Sequence, residues 1–469
     1  MNSKRDLCNT LSEDSLPSSF RDPDGFVFMY NGKFFRRVNA SYASYYKQLI
    51  SSGLYAYLTG IGSLISHEEV SSPSPLFSEG DLVLYPQQLP FVSYPYEWSF
   101  GQLQEAAILT LDVLTASLDH GMILKDASAF NITWHQGKAV FFDTLSFTTY
   151  EDGSPWAGYR QFCNHFLAPL ALMAYTDFRL QKLFLHYIDG IPLDLTSQLL
   201  PFYTRFKPSL LIHLHTHSYL QKKKAGTRDK LKVRLKKKSL YNLIENLRNC
   251  ITSLKFPKVQ TEWGNYYNDT NYTVEQAQKK ESVIAGWLET IRPSRVADLG
   301  ANDGTYSVLA ASFSELVVAM DVDPVAVQAN YMMCKTKNQT HITPLLNDIT
   351  APSPAIGWHC RERSSIFERL RPDMGMALAL MHHLSISNNV PLSKIFSMFA
   401  DMAPIWIVEF VDKKDTQVQR LLTNRPDIFH EYTQPVFEER ARALFSIEQK
   451  HHIEGTLRTL YLLRLRKDN

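Results

Sequence analysis

The stretch DLGANDGTYS, Asp298 to Ser307, follows the apolar run of SRVADLG and opens a segment with helical spacing, so it reads as a turn from a strand into a helix. Gly300 and Gly304 permit close backbone approach, and the start of the following helix presents free N–H groups. A nucleotide-like ligand suits such a turn. A dinucleotide fingerprint, GxGxxG, would need glycines at 302 and 305, where this chain has Asn302 and Thr305. Asp298 also sits two residues before the first glycine, where a carboxylate faces a pyrophosphate badly but an ammonium or sulfonium well.

Working outward, SELVVAMD, ITPLLND, DMGMALALM and PIWIVEF are further short apolar runs separated by helix-length stretches. That alternation calls for a parallel sheet with helices on both faces. LFSIEQKHHIEG and LRTLYLLRLR then read as a terminal antiparallel hairpin turning at Gly455. The second run ends in AMDVDP and puts Asp321 twenty-one residues beyond Gly300, where an acid accepts hydrogen bonds from ribose hydroxyls; Asp323 is its near alternative. The third ends at Asn347-Asp348, where a carboxylate can accept from an adenine amino group. Together these acids outline an adenosine with a cationic tail, which is S-adenosyl-L-methionine.

Residues of about 262 to 469 resemble a class I S-adenosylmethionine-dependent methyltransferase, a Rossmann-like α/β fold. The family motif is acid-x-Gly-x-Gly-x-Gly, and this chain departs from it at Asn302. The resemblance implies cofactor contact by Asp298, Gly300, Asn302, Gly304, Asp321 and Asp348. Within that group, WGNYYNDTNY, ALALMHHL and IVEFVDKKD resemble a bacterial nodulation-protein-like methyltransferase family, and SYPYEWSF and YRQFCNHFLAPLALMAY extend the resemblance over the whole chain. Methyl transfer is an in-line displacement in which alignment supplies much of the rate, with a base needed for acidic acceptors. His382, His383 and Glu409, at the ends of the fourth and fifth strands, are the catalytic candidates, with a structural role as the alternative for each. Trp263, Tyr267 and Tyr272 are candidates for a lid over the cofactor, or for packing.

The N-terminal half carries a different pattern. LKDASAFNI, Leu124 to Ile132, is followed eleven residues later by Asp143 of FFD. Upstream, SFGQLQEAAILTLDVLTASLDHG reads as a long helix ending at a turn at Gly121, and DGFVFMYNGKFFRRV as two strands around Asn31-Gly32. This order resembles an α+β kinase-like domain of the protein-kinase or aminoglycoside-phosphotransferase type. The resemblance implies Asp126 as base, Asn131 and Asp143 as magnesium ligands, and ATP as a further ligand. The chain departs from the family at Leu124, at Thr144-Leu145 and in the missing GxGxxG loop, which also allows a pseudokinase that binds nucleotide or a polar substrate. The charged pair that would position ATP is left open between Lys33, Arg36 or Arg37 and Glu68 or Glu69.

Length and composition fit two folded domains: 469 residues, 45% apolar, 12% aromatic, net charge +2. The expected division is a tail over 1–20, a kinase-like domain over 21–220, a basic linker with an amphipathic helix over 221–260 and a methyltransferase domain over 261–469. Five scattered cysteines outside any CxxC pair and a polar N-terminus without an apolar core indicate a reducing, cytoplasmic setting. A small-molecule or saccharide-like methyl acceptor is expected, with no membrane and no obligate protein partner. Ten Lys or Arg against one acid between Lys222 and Lys238 leave RNA as an alternative acceptor, beside the reading as a solvated linker. A third reading is an ATP-sensing module, or an active phosphotransferase, fused to a methyltransferase.

Overall fold

The computed structural model describes residues 16–70, 82–216, 236–259, 261, 272–423 and 425–466. The chain forms two compact units, one of residues 1–258 with Ala355–Ser364 and one of Val259–Pro354 with Ser365–Asn469.

The first unit is α+β. Strands β1 (Gly25–Tyr30), β2 (Lys33–Val38), β3 (His67–Val70) and β4 (Leu82–Pro86) form an antiparallel sheet in the order β1-β2-β4-β3. The β1-β2 turn is the expected Asn-Gly one, with φ of 49° at Asn31 and 74° at Gly32, the left-handed values a two-residue hairpin needs. A helix over Phe100–Asp119 follows, closed at its start by a capping box in which Ser99 accepts from the Gln102 amide and Gln102 accepts from that of Ser99. Short strands β5 (Met122–Leu124), β6 (Ile132–His135), β7 (Lys138–Phe141) and β8 (Phe147–Thr149) pair as β5-β8 and β6-β7. The amphipathic helix Lys237–Ser253 belongs to this unit, not to a connector. Its apolar stripe of Leu240, Ile244, Leu247 and Ile251 is buried against the long helix, and Gln104 Nε2 caps its end at 2.7 Å from Ile251 O.

The second unit is a seven-stranded mixed sheet with β9 (Arg295–Leu299), β10 (Leu316–Asp321), β11 (Ile342–Leu346), β12 (Met374–Ala377), β13 (Ile405–Val411), β14 (Phe445–His452) and β15 (Arg458–Leu465) in the order β11-β10-β9-β12-β13-β15-β14. The first five are parallel, and β15 and β14 complete the sheet as an antiparallel hairpin. β10, β11 and β13 are buried at every residue, as strands covered on both faces must be. Chain order reverses beside β9, so the ends of β9 and β12 diverge and leave a crevice there. Close packing also fixes β12 against β13: a Cβ at Gly375 would meet the Trp406 ring at 2.4 Å. Trp406 in turn stacks on Phe399 with centroids 3.9 Å apart.

Candidate functional site

The glycine turn after β9 is built on left-handed backbone. Gly300 has φ 70°, Asn302 51° and Gly304 86°, and Ala379, just beyond β12, has 51°. Asn tolerates this region better than most side chains; for Ala379 it is strained, and such residues gather where the surroundings over-determine the backbone. At Gly304, which opens the helix Thr305–Ala311, a Cβ would lie 2.5 Å from Asn330 Oδ1. The turn is held to β10 by the Asn302 amide, which donates to Asp321 Oδ2 at 2.8 Å.

Two adjoining cavities open along this turn, sharing Gly300, Asn302, Leu378 and Ala379 in their walls. The larger, about 240 Å³, is lined by Asp321, Asn347, Asp348 and His383 among others. The smaller, about 80 Å³, is lined by Asp298, Lys280, Arg458, Tyr272 and Tyr306 with the shared residues. Asp298 is buried and accepts from the Ser307 hydroxyl at 2.6 Å through Oδ2. Burial pushes its carboxyl up to about 7. Burial also raises Asp321 to about 6, opposed by the Asp323 and Asn302 amides that donate to it. Asp348 is partly exposed and accepts from the Thr350 amide and hydroxyl. Asn347 is buried in the wall of the larger cavity, and its Nδ2 has no hydrogen-bond partner among the described residues.

Several expected residues fall elsewhere. Asp323 is not in the wall of either cavity; it caps the helix Pro324–Thr336 by accepting from the Val325 amide and takes a hydrogen bond from Thr261. Glu409 is likewise absent from both walls and is the hub of a buried ion cluster. Its Oε2 lies 2.6 Å from Lys280 Nζ, and its Oε1 accepts from Tyr272 Oη at 2.5 Å and from Arg458 Nη1 at 3.3 Å. Burial alone would raise the Glu409 carboxyl, but Lys280 and Arg458 outweigh it and hold it down at about 2. Such a carboxylate stays ionised and does not accept a proton from an acceptor. His382 is wholly buried, and neither ring nitrogen has a hydrogen-bond partner among the described residues. His383 faces the larger cavity; burial, then Arg458, lowers it to about 4. Trp263 and Tyr267 lie outside the described residues, as does the basic run up to residue 235.

The two cations of the smaller cavity, Lys280 and Arg458, were not anticipated from sequence. Lys280 lies over the rings of Tyr306, at 4.5 Å, and Tyr272, at 5.2 Å. Arg458, at the start of β15, lies 4.8 Å from the Tyr272 centroid and pairs with Asp415 through Nε at 3.1 Å. A signal for Lys280 was present: it sits four residues before Ile284 and eight before Leu288, on the apolar stripe of the helix Val274–Ile291.

In the first unit, Asp126, Asn131 and Asp143 come together. Asn131 Nδ2 donates to Ser146 Oγ at 3.0 Å, and that hydroxyl donates to Asp143. Burial, then the charge of Asp143, raises the Asp126 carboxyl, whose Oδ1 accepts from the Ser128 amide. Arg36 of β2 is the cation on Asp143, at 2.5 Å, instead of pairing with Glu68 or Glu69. Glu69 accepts from Tyr46. The expected magnesium ligands are therefore engaged by protein groups. Among the described residues no group of three His, Cys, Asp or Glu is placed to hold a metal. No helix among them is long and apolar enough to cross a membrane.

No protein-family model matches the chain. Among solved structures, N-methyltransferase NodS from Bradyrhizobium japonicum WM9 is 13% identical, with a TM-score of 0.31 over 41% of this chain and 98% of its own. Magnesium protoporphyrin IX methyltransferase (ChlM) from Synechocystis PCC 6803 is 16% identical, with a TM-score of 0.32 over 43% and 92%. At these scores neither likeness bears on any residue of the site. Nodulation protein NoeA of Rhizobium meliloti (strain 1021) is similar from end to end, 32% identical over 455 residues. With 95% of both chains covered by that match, the protein belongs to the family of nodulation protein NoeA.

Proposed function

We propose that the second unit transfers a methyl group from S-adenosyl-L-methionine to a small-molecule or saccharide-like acceptor. The observation that carries this reading is the pair of joined cavities, one walled by acids suited to an adenosine and one by groups of both signs suited to an amino-acid tail. Asp321 has both carboxylate oxygens directed by backbone amides and keeps lone pairs for ribose hydroxyls. Asp348 and the unpartnered amide of Asn347 supply an acceptor and a donor for adenine. Asp298 would accept from the ammonium of the tail, while Lys280 and Arg458 would meet its carboxylate. The ligand, when bound, supplies an electrophilic methyl on a sulfonium. The chain's part is to fix the two ends of that ligand, so that the transferable group is held at the shared wall of Gly300, Leu378 and Ala379. Glu409 acts through Lys280, Arg458 and Tyr272 as a positioning residue.

Isothermal titration with S-adenosyl-L-methionine tests this. Binding should weaken at least about tenfold in Asp321→Ala, the loss of one charged hydrogen-bonding partner. Absence of heat and of any thermal shift would sink the reading.

For the first unit the clustering of Asp126, Asn131 and Asp143 supports a second role, binding of a nucleotide or another polar ligand. Kinase-like ancestry fits the order of elements, while the Arg36 guanidinium on Asp143 favours binding over phosphotransfer. ATP binding that Asp143→Ala abolishes is the expected result; ATP binding unaffected by that change removes the role.

A further inference from the structure

Between β11 and β12 the chain leaves the sheet of the second unit, and Ala355–Ser364 packs as part of the first. The excursion is a small closed loop. Ile356 and Arg363 pair as an antiparallel bridge, each amide donating to the other's carbonyl at 3.0 Å, and Glu362 Oε2 accepts from the Trp358 amide at 2.9 Å. Gly357 has φ 81°, and a Cβ there would lie 2.7 Å from Glu362 Cβ, so the turn closes tightly on that side chain. Two side chains hold the loop to the first unit. Glu362, 1% exposed, takes a two-point hydrogen bond from Arg21, Nε to Oε1 at 2.6 Å and Nη2 to Oε2 at 2.9 Å. The Arg363 guanidinium lies 4.6 Å from the centroid of the Phe130 ring. Phe130 is in the turn Ala129–Asn131, between Asp126 and Asn131 of the polar cluster.

The root of the same loop is tied to the cofactor cavity of the second unit. Asn347, Asp348, Ile349 and Thr350 form part of the wall of the larger cavity. Just before the loop, the Ser353 amide donates to Asn347 Oδ1 at 3.4 Å; just after it, the Ile366 amide donates to Ser353 O at 3.0 Å. The loop thus begins and ends on a residue bonded to the cavity wall, and its tip rests on the turn that carries Asn131. Energetic coupling between two sites requires an element that both of them bias. We propose that this loop is such an element: S-adenosyl-L-methionine in the cofactor cavity raises the affinity of the first unit for its nucleotide, and the nucleotide raises the affinity for S-adenosyl-L-methionine by the same factor. Ordering sets the sign. A ligand on Asn347 and Asp348 fixes the root of the loop, and Arg363 held against Phe130 removes part of the ordering cost that a ligand of Asp126 and Asn131 meets. The coupling rests on the ligands proposed above for the two units and adds the link between them.

Calorimetric titration of the full-length protein with ATP, alone and at saturating S-adenosyl-L-methionine, tests it. ATP should bind at least about fivefold more tightly in the second case, and S-adenosyl-L-methionine should gain the same factor when ATP saturates. Hydrogen exchange over 355–364 should slow when S-adenosyl-L-methionine is added without ATP. Arg363→Ala, and separately Phe130→Leu, should cut the gain below about twofold while S-adenosyl-L-methionine alone binds as before. Arg363→Lys, which keeps a cation over the ring, should restore part of it. An unchanged melting temperature shows that each variant folds. Both ligands bound with affinities that the other leaves unshifted or weakens overturn the coupling alone and leave both ligand assignments standing. One ligand failing to bind under either condition removes that unit's proposed ligand and the coupling with it. A gain that survives both Arg363→Ala and Phe130→Leu also overturns the proposal, because its route bypasses the loop.

Discussion

Lys280 Nζ lies 2.6 Å from Glu409 Oε2, with both side chains buried and Arg458 Nη1 3.3 Å from the other carboxylate oxygen. One anion therefore serves two buried cations, with Asp415 sharing Arg458. Glu409→Ala should destabilise the second unit by about 3–5 kcal/mol, because it removes the carboxylate that balances two buried cations. Urea unfolding at neutral pH measures this. Pairing Lys280→Met with Glu409→Leu should recover more than about 1 kcal/mol relative to the sum of the single changes, and strict additivity would show that the two groups are not coupled.

The raised carboxyl of Asp298, about 7 against an ordinary 3.8, makes the stability of the free protein and its affinity for the ligand respond oppositely to pH. Between those two values the folded state binds more protons than the unfolded one, so this group lowers stability as pH rises through that window and levels off above it. Asp298→Asn removes this proton uptake. Its advantage in unfolding free energy should be absent near pH 4 and grow to on the order of 1–3 kcal/mol by pH 8. The same variant should lose S-adenosyl-L-methionine affinity, whereas in the native protein affinity should climb as pH passes from about 5.5 to 7.5 and both Asp298 and Asp321 ionise. A flat affinity profile over that range contradicts the assignment of these acids to the ligand.

What sequence could and could not reveal follows from the range of each interaction. The strands of the second unit, its terminal hairpin, the Asn31-Gly32 turn and the capped Phe100–Asp119 helix are all encoded by near neighbours, through alternation, caps and turn residues. That Gly300, Asn302 and Asp321 face one cavity was legible for the same reason, being set by spacing along one strand-turn-helix unit, whereas Gly304 lines neither cavity and opens the helix. Asp321 and Asp323 were not separable, because two acids two residues apart differ only in which one turns inward and which caps the next helix. Glu409 was legible as an acid near the C-terminal edge of the fifth strand, a catalytic candidate, but not as an ion-cluster hub within it. Its partners Lys280 and Arg458 are 129 and 49 residues away, and only the closed sheet brings them together. In the first unit, Arg36 reaches Asp143 across 107 residues, which strand register alone does not foretell.

Gly304 has both a left-handed φ of 86° and the Asn330 side chain where a Cβ would go. Gly304→Ala should cost roughly 1–3 kcal/mol through backbone strain, with the displaced Asn330 adding to it. Because Gly304 opens the helix beside the glycine turn, S-adenosyl-L-methionine affinity should fall as well. Gly286, with nothing within 4 Å of a Cβ and an ordinary helical setting, is the control: Gly286→Ala should be neutral or stabilising. Chemical denaturation of the two variants side by side checks the contrast, and equal effects would contradict it.

His383 faces the adenosine-sized cavity with its imidazole held near 4 by burial and by Arg458. At that value the ring is neutral from about pH 5.5 upward, yet too weak a base to take much of a proton from an acceptor at neutral pH, since efficiency follows basicity. His383→Gln keeps a polar side chain of similar reach. It should raise the apparent KM for S-adenosyl-L-methionine while lowering kcat less than about tenfold, well short of the roughly hundredfold or greater loss a general base would give. The native kcat profile should show no limb near the ordinary histidine value of about 6.5. A large kcat loss with unchanged KM, or such a limb abolished by the substitution, would return His383 to the role of proton acceptor.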